Sequence, residues 1–79
     1  MNYSGIVATV APAHCDAMAA TLAAMPGVEV HQIDRASGRI VLVQEAASVD
    51  AETDGFTRIR SLPGVIDAAL VYHRFETAA

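Results

Sequence analysis

The chain has 79 residues, nine acids against five bases for a formal net charge of −4, and one cysteine, Cys15. That length supports one domain, residues 1–79, with a modest core, since small chains bury a smaller share of their surface. A single cysteine excludes an internal disulfide framework, and the acid excess argues against nucleic acid, whose phosphates need clustered Lys and Arg.

No apolar run approaches the roughly 20 residues that span a bilayer, so no membrane insertion is expected. Residues 1–4 lack the basic and apolar regions of an export signal, and a lone thiol suits a reducing compartment, so the expected location is cytoplasmic.

Residues 4–10 are β-branched, apolar and small, and read as a first strand. Pro12 then opens an alanine-rich stretch with Cys15, Met18, Leu22 and Met25 at near-helical spacing. Pro26-Gly27-Val28 stops that helix and starts a second strand over residues 28–34. Residues 35–38 are a turn, and residues 39–44 hold the apolar run Ile40-Val41-Leu42-Val43, so residues 28–44 predict a β-hairpin. Ser48 is placed to cap a second helix, with Asp50 and Glu52 in its first turn and a stripe of Phe56, Ile59 and Leu62. Gly55 weakens that helix by about 1 kcal/mol relative to alanine. Pro63-Gly64-Val65 repeats the earlier stop 37 residues on (63 − 26), and a long strand over residues 65–75 follows, with a short frayed tail from Glu76.

The order is βαββαβ, two split β-α-β halves. It predicts an α+β ferredoxin-like sandwich: a four-stranded antiparallel sheet of order 4-1-3-2 with both helices on one face.

Two helices cover one face of such a sheet, so the other face decides function. Period-two alternation assigns Ile6, Ala8, Val10, Val28, Val30, Ile40, Leu42, Ile66, Ala68, Leu70 and Tyr72 to the helix side. Tyr3, Gly5, Val7, Thr9, Glu29, His31, Ile33, Val41, Val43, Asp67, Ala69, Val71, His73 and Phe75 then point away. Val7, Val41, Val43 and Val71 thereby form an apolar patch with Glu29, Glu45 and Asp67 toward its margins. Such a patch marks an interaction site; the plainer readings are valines placed for strand propensity or a weak homodimer seam. The acidic margin favours a ligand that is apolar along one side and carries Arg or Lys.

Other chemistry is sparse. His14, His31 and His73 lie on separate elements without metal-ligand spacing, Cys15 falls on an apolar helix stripe as a buried thiol, and Met18 and Met25 read as core. There is no glycine-rich phosphate loop, CxxC pair or nucleophile elbow. Neither an enzyme nor a cofactor site is expected.

The segment Ala69-Leu70-Val71-Tyr72-His73-Arg74-Phe75-Glu76, the preceding Leu62-Pro63-Gly64-Val65, Met25-Pro26-Gly27-Val28-Glu29-Val30 and the opening Ser4-Gly5-Ile6-Val7 together resemble the NapD family over nearly the whole chain. The resemblance implies a ferredoxin-like chaperone for maturation of the periplasmic nitrate reductase. It would bind the twin-arginine signal peptide of the catalytic-subunit precursor on its sheet, holding back export until cofactor insertion is complete. A signal of that kind, basic and then apolar, suits valines fringed by carboxylates. The expected peptide contacts are Val7, Glu29, His31, Val41, Val43, Val71 and His73. The chain departs from the commonest family pattern at Gly5, where serine is expected, and in its alanine-rich first helix.

An ACT or Lrp-effector-like module for small molecules shares the βαββαβ order, but such modules sit beside a catalytic or DNA-binding domain for which this chain has no room. A metal-handling domain of the same fold would need a CxxC where Ala11-Pro12-Ala13-His14 stands.

Overall fold

In the computed structural model, residues 2–75 are described, with side-chain surroundings through Tyr72. Strand β1 (Asn2–Val10) leads through a short 3-10 turn (Pro12–His14) into α1 (Cys15–Ala23). The hairpin β2 (Val28–Asp34) and β3 (Arg39–Ala46), helix α2 (Val49–Ser61) and β4 (Val65–Phe75) follow. The strands lie in the order β2-β3-β1-β4, every neighbouring pair antiparallel, which is the expected 4-1-3-2 sandwich. Helix α1 ends two residues before Met25, and β1 starts at Asn2 rather than residue 4. The tail expected from Glu76 lies outside the described residues.

The repeated Pro-Gly-Val builds the same turn twice. The Val28 N–H donates to the Met25 carbonyl at 3.2 Å and the Val65 N–H to the Leu62 carbonyl at 3.1 Å, while Gly27 and Gly64 sit at φ of 77° and 97°. Proline second and a positive-φ glycine third is the type II arrangement, so each half of the chain turns from helix to strand by one device.

Both helices pack on one side of the sheet. Ile6, Ala8, Ile40 and Leu42 from the central strands are fully buried with Leu22 of α1 and Ile59 of α2. Cys15 is buried at the start of α1, its thiol 3.9 Å from the Asp34 carbonyl.

Helix α2 begins as expected, with the Ser48 hydroxyl accepting from the Ala51 N–H at 3.1 Å. Glu52 turns inward, where the Ser4 hydroxyl donates to Oε2, and the Gln44 amide donates to the Glu52 carbonyl at 2.8 Å. Gly55 is where α2 crosses this amide: a Cβ there would run into the Gln44 side chain. The glycine costs helix propensity and permits close helix–sheet approach.

At the β2–β3 turn the Asp34 carboxyl is held below its ordinary value of 3.8, chiefly by the Ser37 hydroxyl and then by the Ser37 amide. Because the folded value is depressed, this hydrogen bonding stabilises the fold above the unfolded-chain value and is lost as pH falls through the lower, folded one.

Three register shifts correct the simple alternation. Strand β2 shifts against β3 between Val30 and Gln32, leaving His31 as the extra residue. Ile33 then pairs with Ile40 and packs against the core instead of facing outward. Strand β4 shifts against β1 at Ile66, which is 71% exposed rather than buried, and again at Val71. Beyond that second bulge Tyr72 pairs with Gly5 and lies on the uncovered face, opposite to its expected side. A β-bulge inserts one residue and inverts everything downstream.

Candidate functional site: the uncovered sheet face

The face away from the helices is built in transverse rows. Val7 lies between Val41 and Ala69, with Gln32 beyond Val41. Gly5 lies between Val43 and Tyr72, with Glu29 beyond Val43. Thr9 lies between Arg39 and Asp67, with Asp34 beyond Arg39, and Tyr3 pairs with Glu45. The two central strands thus supply the valines of the floor, and the two edge strands supply most of the polar rim.

Val7, Val41 and Val43 are each half-buried on this side, although neither helix reaches it. Apolar side chains in that condition lose water contact only partly, and a ligand laid across them completes the burial. Two shallow depressions indent the face. One, about 230 Å³, is lined by Tyr3, Gly27, Val28, Glu29, Val43 and Glu45. The other, about 300 Å³, is lined by Val7, Gln32, Asp34, Arg39 and Val41.

The residues singled out from the sequence fall as follows. Val7, Val41 and Val43 share the floor, and Glu29 stands beside Val43 at the rim. His31 occupies the β2 bulge, its Nε2 3.7 Å from Glu29 Oε1; both side chains are well exposed, so the pair is a weak, screened contact. Val71 is the extra residue of the β4 bulge, next to Tyr72, and is 62% exposed. His73 pairs through its backbone with Ser4, and its side chain lies outside the described residues.

Alternation alone missed Gln32, brought onto the face by the His31 bulge, and Tyr72, brought there by the Val71 bulge. A signal for Tyr72 was present: a glycine in a central strand marks close approach by something else, and at Gly5 that is the Tyr72 ring.

Among the described residues, no three His, Cys, Asp or Glu side chains come together as a metal ion would require, and no helix is long and apolar enough to cross a membrane. Beneath the helices, a groove of about 390 Å³ runs between α2 and β4, lined by Val49, Phe56 and Leu70 among others.

Chaperone NapD of Escherichia coli K12 is 36% identical over 55 residues, a stretch covering 70% of this chain and 63% of the relative, and Chaperone NapD of Shigella flexneri matches to the same extent. The match therefore spans less than two thirds of the length of these curated relatives. The solution structure of the E. coli Tat proofreading chaperone protein NapD superimposes with a TM-score of 0.85 at 27% identity, covering 98% of this chain and 81% of that one. The family model described as NapD protein matches residues 1–77, and the chain belongs to the NapD family.

Proposed function

We propose that this protein is a maturation chaperone without catalytic activity. It would bind the twin-arginine signal peptide of the periplasmic nitrate reductase catalytic subunit, holding the precursor back in the cytoplasm until its cofactors are inserted. The observation that carries this reading is the uncovered sheet face, with half-buried Val7, Val41 and Val43 beside Glu29 and Glu45. The name of the E. coli relative, a Tat proofreading chaperone, supports it.

A basic leader followed by an apolar segment answers both parts of that surface. The valines offer area to bury, and an acidic protein of net charge −4 draws a cationic peptide toward it. The apolar contact supplies most of the affinity. Exposed charge pairs add about 0–1 kcal/mol each and set orientation and encounter rate.

Titration calorimetry with a synthetic twin-arginine signal peptide tests the reading. Saturable binding at one peptide per chain is expected. It should weaken when both arginines become glutamine, and again as salt is raised, since screening removes the electrostatic share but leaves the apolar share. A weak homodimer through the same valines would compete with the peptide and would show as affinity that improves on dilution of the protein. Heats no larger than those of a scrambled neutral peptide would contradict the proposed function.

A further inference from the structure

We infer that Tyr72, laid over Gly5 by the bulge at Val71, is a specificity-determining wall of the sheet face, packing against the apolar segment of the bound peptide. The inference rests on the proposed peptide-binding role and adds a residue that strand alternation had assigned to the core.

The placement follows from two features on adjacent strands. Tyr72 pairs with Gly5, and a Cβ at position 5 would stand 2.8 Å from Tyr72 Cζ and closer still to two other ring carbons. No side chain fits between ring and backbone, so only glycine lets the ring lie down on β1. Gly5 is itself buried, while Tyr72 keeps 47% of its surface exposed, so the ring lies against the strand and remains available to a ligand.

The ring is well sited for recognition. Gly5 is flanked on its other side by Val43, with Val7 two residues along β1, so the ring borders the valine floor. On the far side of that floor stand Glu29 and Gln32 of β2. A segment on the valines therefore runs between an aromatic side and a polar side, and its apolar residues gain the aromatic contact only in one rotational setting. Aromatic rings give large contact area at little entropy cost, which suits such a wall. A serine at position 5 would lift the ring and reshape this margin.

The test combines a structural readout with binding. In proton NMR the Gly5 Hα resonances should be shifted upfield by the ring in the wild type, and this shift should vanish in Tyr72→Ala and fall in Gly5→Ser. Calorimetry with a synthetic twin-arginine signal peptide should then show about tenfold weaker binding for Tyr72→Ala and Gly5→Ser. Tyr72→Phe, which keeps the ring, should bind like the wild type.

If the wild type binds the peptide and both variants, shown folded, bind it equally well, the wall is disproved and the peptide-binding role stands. If the wild type itself fails to bind, both fall together. Should the variants not fold, nuclear Overhauser contacts between the Tyr72 ring and apolar side chains of the peptide on the wild-type chain decide the matter: their presence supports the wall and their absence overturns it.

Discussion

Replacing Ile6 by alanine should lower the unfolding free energy by about 2–5 kcal/mol, the usual cost of emptying a fully buried aliphatic site. Ile6 has no solvent exposure and sits on central strand β1, paired with Leu42 on one side and Leu70 on the other. The layer above it is closed by Leu22 and Ile59, so little can collapse into the gap. A domain of this size holds on the order of 4–12 kcal/mol in total, so the loss is a large fraction of the whole. Thermal unfolding should show a melting temperature lower by about 10 °C or more. A shift of only a degree or two would mean that the core does not centre on β1.

Val41→Asp should leave the fold standing and remove most of the peptide affinity, by about ten- to a hundredfold. Val41 is half-buried on the side no helix covers, so an aspartate there stays in contact with water in the free protein and costs under about 1 kcal/mol. In the complex the same carboxylate would be covered by the apolar segment of the peptide. Burying an unpaired charge costs several kcal/mol, whereas attraction to a nearby arginine returns about 1 kcal/mol at most, so the burial penalty wins. Val49→Asp is the matched control: it makes the same charge change on α2, at a side chain 53% exposed beside the α2–β4 groove, and should leave affinity unchanged. Equal losses in the two variants, measured by calorimetry on protein of unchanged melting temperature, would indicate a general charge effect rather than a docking face.

Much of this was legible in the sequence because the signals were local. Pro26-Gly27-Val28 and Pro63-Gly64-Val65 each encode a turn whose chemistry is complete within four residues, and Ser48 encodes its own helix cap. Alternation sorted β1 and β3 correctly because neither carries an inserted residue, so Val7, Val41 and Val43 were assigned to the right side. It failed on the edge strands, where bulges at His31, Ile66 and Val71 add one residue each. A bulge is a property of a pair of strands and has no fixed residue code, so Ile33 and Tyr72 exchanged sides without a signal in their own strands.

Gly55, which looked like a weak point of its helix, and Gly5 both record contacts made across the fold. Gly5 receives the Tyr72 ring and Gly55 lies against the Gln44 amide. Glu52 looked like an ordinary acid of a first helical turn, yet it is buried against Ser4, a partner 48 residues away that only the folded chain brings near.

The proposed function requires that the uncovered sheet face, and not another surface, meets a leader peptide. Titrating a synthetic twin-arginine signal peptide into isotope-labelled protein, and following backbone amide shifts, locates that surface residue by residue. The largest saturable changes are expected at Gly5, Val7, Val41, Val43 and Tyr72, with Val49, Phe56 and Arg60 of α2 nearly still. Changes concentrated at Val49, Phe56 and Leu70 would put the peptide in the groove between α2 and β4 and contradict the account.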